Sequence, residues 1–317
     1  MNNNKKLIGE ISNLNSYEFK ILKQEVKKRI IANEVAFYLE TNETDLVCPH
    51  CKSHNKTRWG IRSNLQRYKC KECNKTYNSL TKTPLARLRK KDLWLKYSKC
   101  LRDELTVRKS AYECKVHKTT AFRWRHRFVS NSEFIKSKFL RGVIDMNDIY
   151  FKESFKGSRN IPQRARRDVC VIHSIDRHNN IYDLTDQKLS LKNLNSDFKN
   201  LIEKGTIVVS DKNKVYKEFS YQNKLKFKKH INEKESRTRA YKNDKVKDYS
   251  ERFESWVVNY FRGVATKYLK NYVSWFRGLN EFPHKIRPLT ILVRAKSIQK
   301  YGYQPLKHTE LFNQLGI

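Results

Sequence analysis

Cys48-Pro-His-Cys51 and Cys70-Lys-Glu-Cys73 are the residues whose types and spacing point most directly to chemistry. A Cys-x-x-Cys step forms a tight knuckle that turns two thiolates toward one point. Two such knuckles separated by roughly 15–20 residues complete a tetrahedron around one metal ion. Four protein ligands leave no open position for a reacting group. Cys48, Cys51, Cys70 and Cys73 therefore predict a structural Zn2+ within a small β-ribbon, whose basic residues Arg58, Arg62, Arg67 and Lys69 suit added nucleic-acid contacts. His50 and His54 are read as spare. Cys100, Cys114 and Cys170 stand alone in the sequence and predict core packing.

A second constellation is basic and helical. Thr106 is placed to cap a short helix over 106–113, Cys114-Lys115-Val116 to turn, and His117 to open a second helix ending near Phe128. Ala111, Val116, Ala121 and Trp124 suit the contacts between the two helices. Lys118, Thr119, Thr120 and Arg123 then face outward at the start of the second helix, where a recognition helix meets base edges. Lys109, Arg125 and Arg127 suit phosphate contacts. The competing reading is a helical hairpin with a solvated basic face.

The elements that position these groups follow from periodicity. Phe19, Leu22, Val26, Ile30 and Ile31 recur at helical spacing, predicting a helix over 16–39 that is capped by Ser16 and packs on its neighbours. From Gly142 the pattern turns to short β-branched and aromatic runs. Strands are predicted over 144–151, 169–174, 181–184 and 207–210, with a fifth over 225–231 and a helix over 189–203. Beyond Lys245, the residues Phe253, Trp256, Val257, Phe261, Val264 and Tyr268 fall on one helical face. Three strands, a helix, a strand, a helix, a strand and a terminal helix is the order of an RNase-H-like α/β domain. The expected organisation is multidomain α+β: an N-terminal helical segment (1–45), a four-cysteine zinc ribbon (46–80), a helix-turn-helix (81–130) and an RNase-H-like domain (141–317).

Composition bounds the partners. The 317 residues carry 68 Lys+Arg against 32 Asp+Glu, a formal net charge of +36. Self-repulsion of that size calls for a polyanion in use, and double-stranded DNA is the expected partner, with homo-oligomerisation left open. No apolar run approaches the ~20 residues needed to span a bilayer, and the start MNNNKKLIGE lacks the apolar core of a signal peptide. The expected location is the cytoplasm, at the nucleoid in a bacterial source. No membrane partner and no small-molecule cofactor are expected.

Four stretches resemble the insertion-sequence DDE transposases of the ISXO-like family. They are Thr83-Pro84-Leu85-Ala86-Arg87-Leu88-Arg89 after the ribbon, Thr120-Ala121-Phe122-Arg123-Trp124-Arg125-His126-Arg127-Phe128 ending the second helix, Tyr150-Phe151-Lys152-Glu153-Ser154-Phe155-Lys156-Gly157-Ser158-Arg159, and Gly263-Val264-Ala265-Thr266-Lys267-Tyr268-Leu269-Lys270-Asn271-Tyr272. The resemblance implies an RNase-H-like domain in which acidic residues hold two divalent ions, Mg2+ or Mn2+, that cut and join DNA. In such relatives the first strand reads Asp-Glu-Thr-Tyr-Phe; laid on Asn147-Asp148-Ile149-Tyr150-Phe151, it puts Asn147 at the ligand position. The second ligand corresponds to Asp211, in Val208-Val209-Ser210-Asp211, and Tyr216 also fits the pattern. The third falls on Lys247, in Val246-Lys247-Asp248-Tyr249-Ser250-Glu251-Arg252.

An amide lacks the charge of a carboxylate, and an ammonium repels the metal. The expectation is a transposase-derived DNA-binding protein that has lost strand cleavage and keeps Asp211 alone. The alternative is an active enzyme using displaced acids, Asp145 and Asp211 with Asp248 or Glu251. Asp145 shares its strand face with Asn147 but lies about 6–7 Å away along the strand. RNA binding is a third reading. Arg262 and Lys267 are read as phosphate contacts within an apolar stripe.

Overall fold

The computed structural model describes residues 9–40, 46–130, 139–158, 161, 163, 165–186, 188–211, 214–229, 244–281, 287–288 and 290–292. The polar start, Arg164, His230 and the end of the chain lie outside them. The described residues within 1–103, 110–117 and 287–303 form one compact unit, and those within 104–109 and 118–286 form another.

The first unit opens with α1 (Ser16–Glu40). Its cap is Asn15 rather than Ser16. The Asn15 side-chain oxygen accepts from the Tyr17 and Glu18 backbone N–H groups at 3.0 and 2.9 Å, and Glu18 accepts from the Asn15 N–H at 3.0 Å. Each group satisfies a donor the helix start leaves unpaired. Among its described side chains Val35, Ala36 and Leu39 at the far end are buried, Leu22 is half-buried, and Phe19, Val26 and Ile30 are exposed, contrary to the packed helix expected.

The ribbon follows as β1 (Lys56–Arg62), β2 (Leu65–Cys70) and β3 (Thr76–Tyr77), antiparallel throughout. Ser63 and Asn64 both take positive φ, 51° and 60°, and turn β1 into β2. That left-handed pair matches the twist of the paired strands. After a 3-10 turn at Lys91–Leu93 comes α2 (Trp94–Arg102), which buries Trp94, Tyr97 and Leu101. Then follow α3 (Val107–Glu113), within which the division between the units falls, and α4 (Lys118–Val129).

The second unit is built on a five-stranded sheet. Its strands are β4 (Val143–Lys152), β5 (Asp168–Asp176), β6 (Ile181–Asp186), β7 (Ile207–Ser210) and β8 (Lys226–Lys229), in the order β6-β5-β4-β7-β8. β4, β5 and β6 pair antiparallel, while β7 and β8 run parallel to β4. Alternation along β4 sends Ile144 and Met146 into a core shared with α5 (Leu191–Phe198) and α6 (Lys214–Gln222), including Leu194, Phe198, Tyr216 and Phe219. Asp145 and Asn147 take the opposite face, which α7 (Asp244–Ser255) covers.

Two helix boundaries differ from expectation. The helix expected over 189–203 ends at Phe198, because Ile202 then bridges Leu140 in a parallel step. The helix expected to run unbroken beyond Lys245 is interrupted. After α7 comes a π-helical turn, Trp256–Tyr260, and the chain stops at Arg262 and Gly263, with φ of 58° and 80°, where the Gly263 N–H reaches the Val257 carbonyl at 2.8 Å. The chain restarts as α8 (Thr266–Glu281).

Candidate functional site

The four ribbon cysteines converge. Cys48 and Cys73 Sγ lie 3.6 Å apart, Cys51 and Cys70 Sγ 3.5 Å, and all four sulfurs fall within 4.8 Å of one another. Tetrahedral Zn–S bonds of about 2.3 Å require sulfur–sulfur edges of about 3.8 Å, so the thiol set fits a zinc ion. Both knuckles are made the same way. The residue after each second cysteine, Lys52 and Asn74, takes positive φ (67° and 55°), and Cys48 N–H donates to Ser53 O while Cys70 N–H donates to Lys75 O. Tyr77 and Leu46 bury the base of the cluster.

Beside the ribbon, Arg62, Arg67, Lys82, Arg87, Arg89 and Lys91 line a cleft of about 690 Å³. His50, which also lines it, is held below the ordinary imidazole range by burial and by the Lys82 and Lys75 ammonium groups. The local field is thus positive.

Thr106 accepts from the Lys109 N–H at 3.4 Å at the start of α3, and Lys115, with φ of 51°, makes the turn before α4. Lys109, Lys118, Thr119 and Arg123 are exposed, and Thr120 and Arg127 half-buried. Arg125 is a correction. It is fully buried, its guanidinium 5.1 Å from the Phe261 ring centre and 5.4 Å from that of Trp275, and it donates to the Leu105 carbonyl. Buried Ala121 lies four residues before it, so the helical repeat puts Arg125 on the packed side, away from exposed Arg123.

The acids are arranged by the sheet. The register Ile144↔Val208 and Asp145↔Val209 brings Asn147 level with Asp211 two residues on. Ser210 Oγ, donating to the Met146 carbonyl at 3.0 Å, fixes that register. Asn147 is half-buried and tied to α7: its amide donates to Ser250 Oγ at 3.0 Å, and Ser250 in turn donates to the Val246 carbonyl at 2.7 Å. Lys247, three residues before Ser250, shares that side of α7.

The displaced set does not assemble among the described residues. Asp145 is buried and gripped by Arg177 through two bonds of 2.6 and 3.1 Å, and Asp248 pairs with Arg252 at 2.9 Å. The four cysteines are the only described group of three or more His, Cys, Asp or Glu residues arranged to share a metal.

Sequence reasoning missed three arrangements. Asp148 points to the other face, where Tyr216 donates to it at 2.9 Å; burial and the Asp211 carboxylate push it above the ordinary carboxylate range against the Tyr216 and Tyr150 hydroxyls. Behind Asn147, buried His173 shares a 2.7 Å contact with Asp183, which also accepts from Tyr249 and lies 3.7 Å from buried Arg277. Cys100 and Cys114, isolated in sequence, stand 3.9 Å apart and buried. Only Tyr216 had a sequence signal, its fit to the pattern after Asp211.

Residues 139–277 match the ISXO2-like transposase domain. A Halobacterium salinarum protein described as an uncharacterized protein in transposable element ISH50 is 29% identical over 150 residues, covering 46% of this chain and 49% of that protein. The chain thus spans about half the length of that relative. The crystal structure of a pre-cleavage Mos1 transpososome overlaps 66% of this chain and 79% of its own at 12% identity, with a TM-score of 0.24, too slight a likeness to argue from. Among the described residues, no helix is long and apolar enough to cross a membrane.

Proposed function

We infer that this chain, whose residues 139–277 match an ISXO2-like transposase domain, is a transposase-derived protein that binds double-stranded DNA and has lost strand cleavage. The observation that carries the loss is the state of Asn147 and Asp145. The amide at the expected ligand position is engaged by Ser250, and the nearest acid on the same face is neutralised by Arg177. With Lys247 on the neighbouring helix, the residues around Asp211 do not fit a pair of divalent ions. The sheet order, with three antiparallel strands followed by two parallel ones, supports the RNase-H-like reading of residues 141–317.

DNA recognition rests on α4 and the ribbon. Lys118, Thr119 and Arg123 are exposed at the start of α4, as a recognition helix requires, and the arginine-lined cleft beside the ribbon suits phosphate. Zinc at Cys48, Cys51, Cys70 and Cys73 holds the ribbon's fold. The test is duplex binding by the full chain and by a Lys118→Ala/Arg123→Ala variant. The reading expects at least a tenfold loss with stability unchanged; equal affinity would remove α4 as the reading element.

One observation favours the alternative of an active enzyme: Asp148 lies close enough to Asp211 to feel its charge. Two carboxylates of that kind can hold one divalent ion. Asp148→Asn leaves DNA binding intact under either reading and abolishes cleavage only under the alternative.

A further inference from the structure

We propose that a cleft in the second unit, walled by Phe122, Tyr260 and Tyr268 and rimmed by Arg108, Lys156 and Arg262, binds one unstacked nucleotide of single-stranded or locally opened DNA. The base would lie against the aromatic wall and its phosphate against the rim. The cleft encloses about 640 Å³, within the range of small-ligand sites.

Its wall is aromatic without being core. Phe122 and Tyr260 remain 48% and 40% exposed, although both sit on well-packed elements. Tyr268 is stacked on His126, at 3.6 Å between ring centres and 15° between planes, and Phe122 stands edge-on to it at 81°. The exposed rings of Phe122 and Tyr260 are the ones a base would meet, whatever its sequence, because every base has a π-face. The Lys267 ammonium, 5.0 Å from the centre of the Tyr268 ring, adds positive charge at the wall.

Exposed cations sit around the opening. Arg108 and Arg262 are solvent-facing. The Lys156 ammonium donates to the Arg262 carbonyl and, at 3.3 Å, to the Gly263 carbonyl, which leaves one of its three N–H groups for an anion. Gly263 makes that corner: its φ is +80°, and a Cβ there would stand 3.1 Å from Lys156 Nζ. The inner wall carries His126, with both ring nitrogens buried and no hydrogen-bond partner among the described residues. Burial, Arg125 and Lys267 push this imidazole down to about 3, so it is neutral and keeps one donor and one acceptor unmet.

Two segments distant in sequence are locked together to form the cleft. Ser154 N–H donates to Thr266 Oγ1 at 2.8 Å, and Thr266 N–H returns a bond to the Ser154 carbonyl at 3.0 Å.

This inference rests on the DNA-binding reading but uses residues other than Lys118, Thr119 and Arg123, so the two fail separately. The test is anisotropy of the full chain with a fluorescent ten-residue oligothymidylate and with a short duplex, at one salt concentration. Phe122→Ala/Tyr260→Ala should weaken oligothymidylate binding about tenfold or more and change duplex binding less than twofold. Lys118→Ala/Arg123→Ala should do the reverse. In the unmutated protein, photo-crosslinking to 5-iododeoxyuridine should map to the peptides carrying Phe122, Tyr260 or Tyr268. Unchanged oligothymidylate affinity in the aromatic variant, or crosslinks that all fall elsewhere, overturns the proposal. So does a more than tenfold preference for oligouridylate, which assigns the cleft to RNA.

Discussion

Arg123 and Arg125 stand two residues apart on α4 and meet opposite environments. Arg123 is exposed, while Arg125 is sealed between the Phe261 and Trp275 rings. Arg125→Ala removes two cation–π contacts and a large buried stem, and should lower unfolding free energy by about 2–4 kcal/mol in urea titration. Arg123→Ala should stay within about 0.5 kcal/mol of the parent and weaken duplex binding by about 1–3 kcal/mol. If Arg125→Ala proved neutral for stability but costly for binding, the buried placement would be wrong. His126 yields a pH prediction. Its folded pKa, near 3, lies below the unfolded value of about 6.5. Between those values the unfolded chain binds a proton that the folded imidazole refuses, so its contribution to stability is full above pH ~6.5 and is lost as pH falls toward ~3. His126→Phe should flatten that part of the stability–pH curve; an unaltered slope would contradict the burial argument.

At the scale of elements, capping and metal binding make local predictions. Asn15→Ala should cost roughly 1 kcal/mol of local helix stability and speed amide exchange in the first turn of α1, while Ser16→Ala should cost a few tenths at most. Metal analysis should find about one zinc per chain, and Cys70→Ser or a chelator should release it together with amide protection in β1 and β2 but not in β4 and β5. The ribbon was legible because four cysteines at that spacing have few other uses. The β-strands were legible because β-branched runs bounded by turns have one period.

The cap was misplaced by one residue because Asn15 and Ser16 are both good caps, and only the Glu18 return bond decides between them. The break before α8 was missed because the apolar face continues through it; Arg262 and Gly263 stop the helix by backbone conformation, which the hydrophobic pattern does not register. Asp145 was placed on the correct face by alternation. That Arg177 occupies it depends on the turn between β5 and β6, which sequence distance hides. The Arg125 error has the same origin: outward and inward basic residues look alike until the packing of α4 against α8 is known.

For the whole molecule, charge dominates. A chain of net charge +36 with basic surfaces on both units should bind duplex DNA with a steep salt dependence, losing on the order of 10³ in affinity between ~50 and ~200 mM salt. A flat response would remove the electrostatic basis of the reading. The residues that match a transposase domain carry a five-stranded sheet in which Ser250 holds the Asn147 amide and Arg177 clamps the Asp145 carboxylate. Binding without cutting is therefore what we propose for this chain. Its most direct measurement incubates the purified, zinc-loaded chain with duplexes carrying the DNA that flanks its own gene, in Mg2+ and in Mn2+, and follows complex formation and strand integrity together. The predicted result is a stable complex with both strands intact. Strand cleavage that disappears on Asp211→Ala would contradict the account.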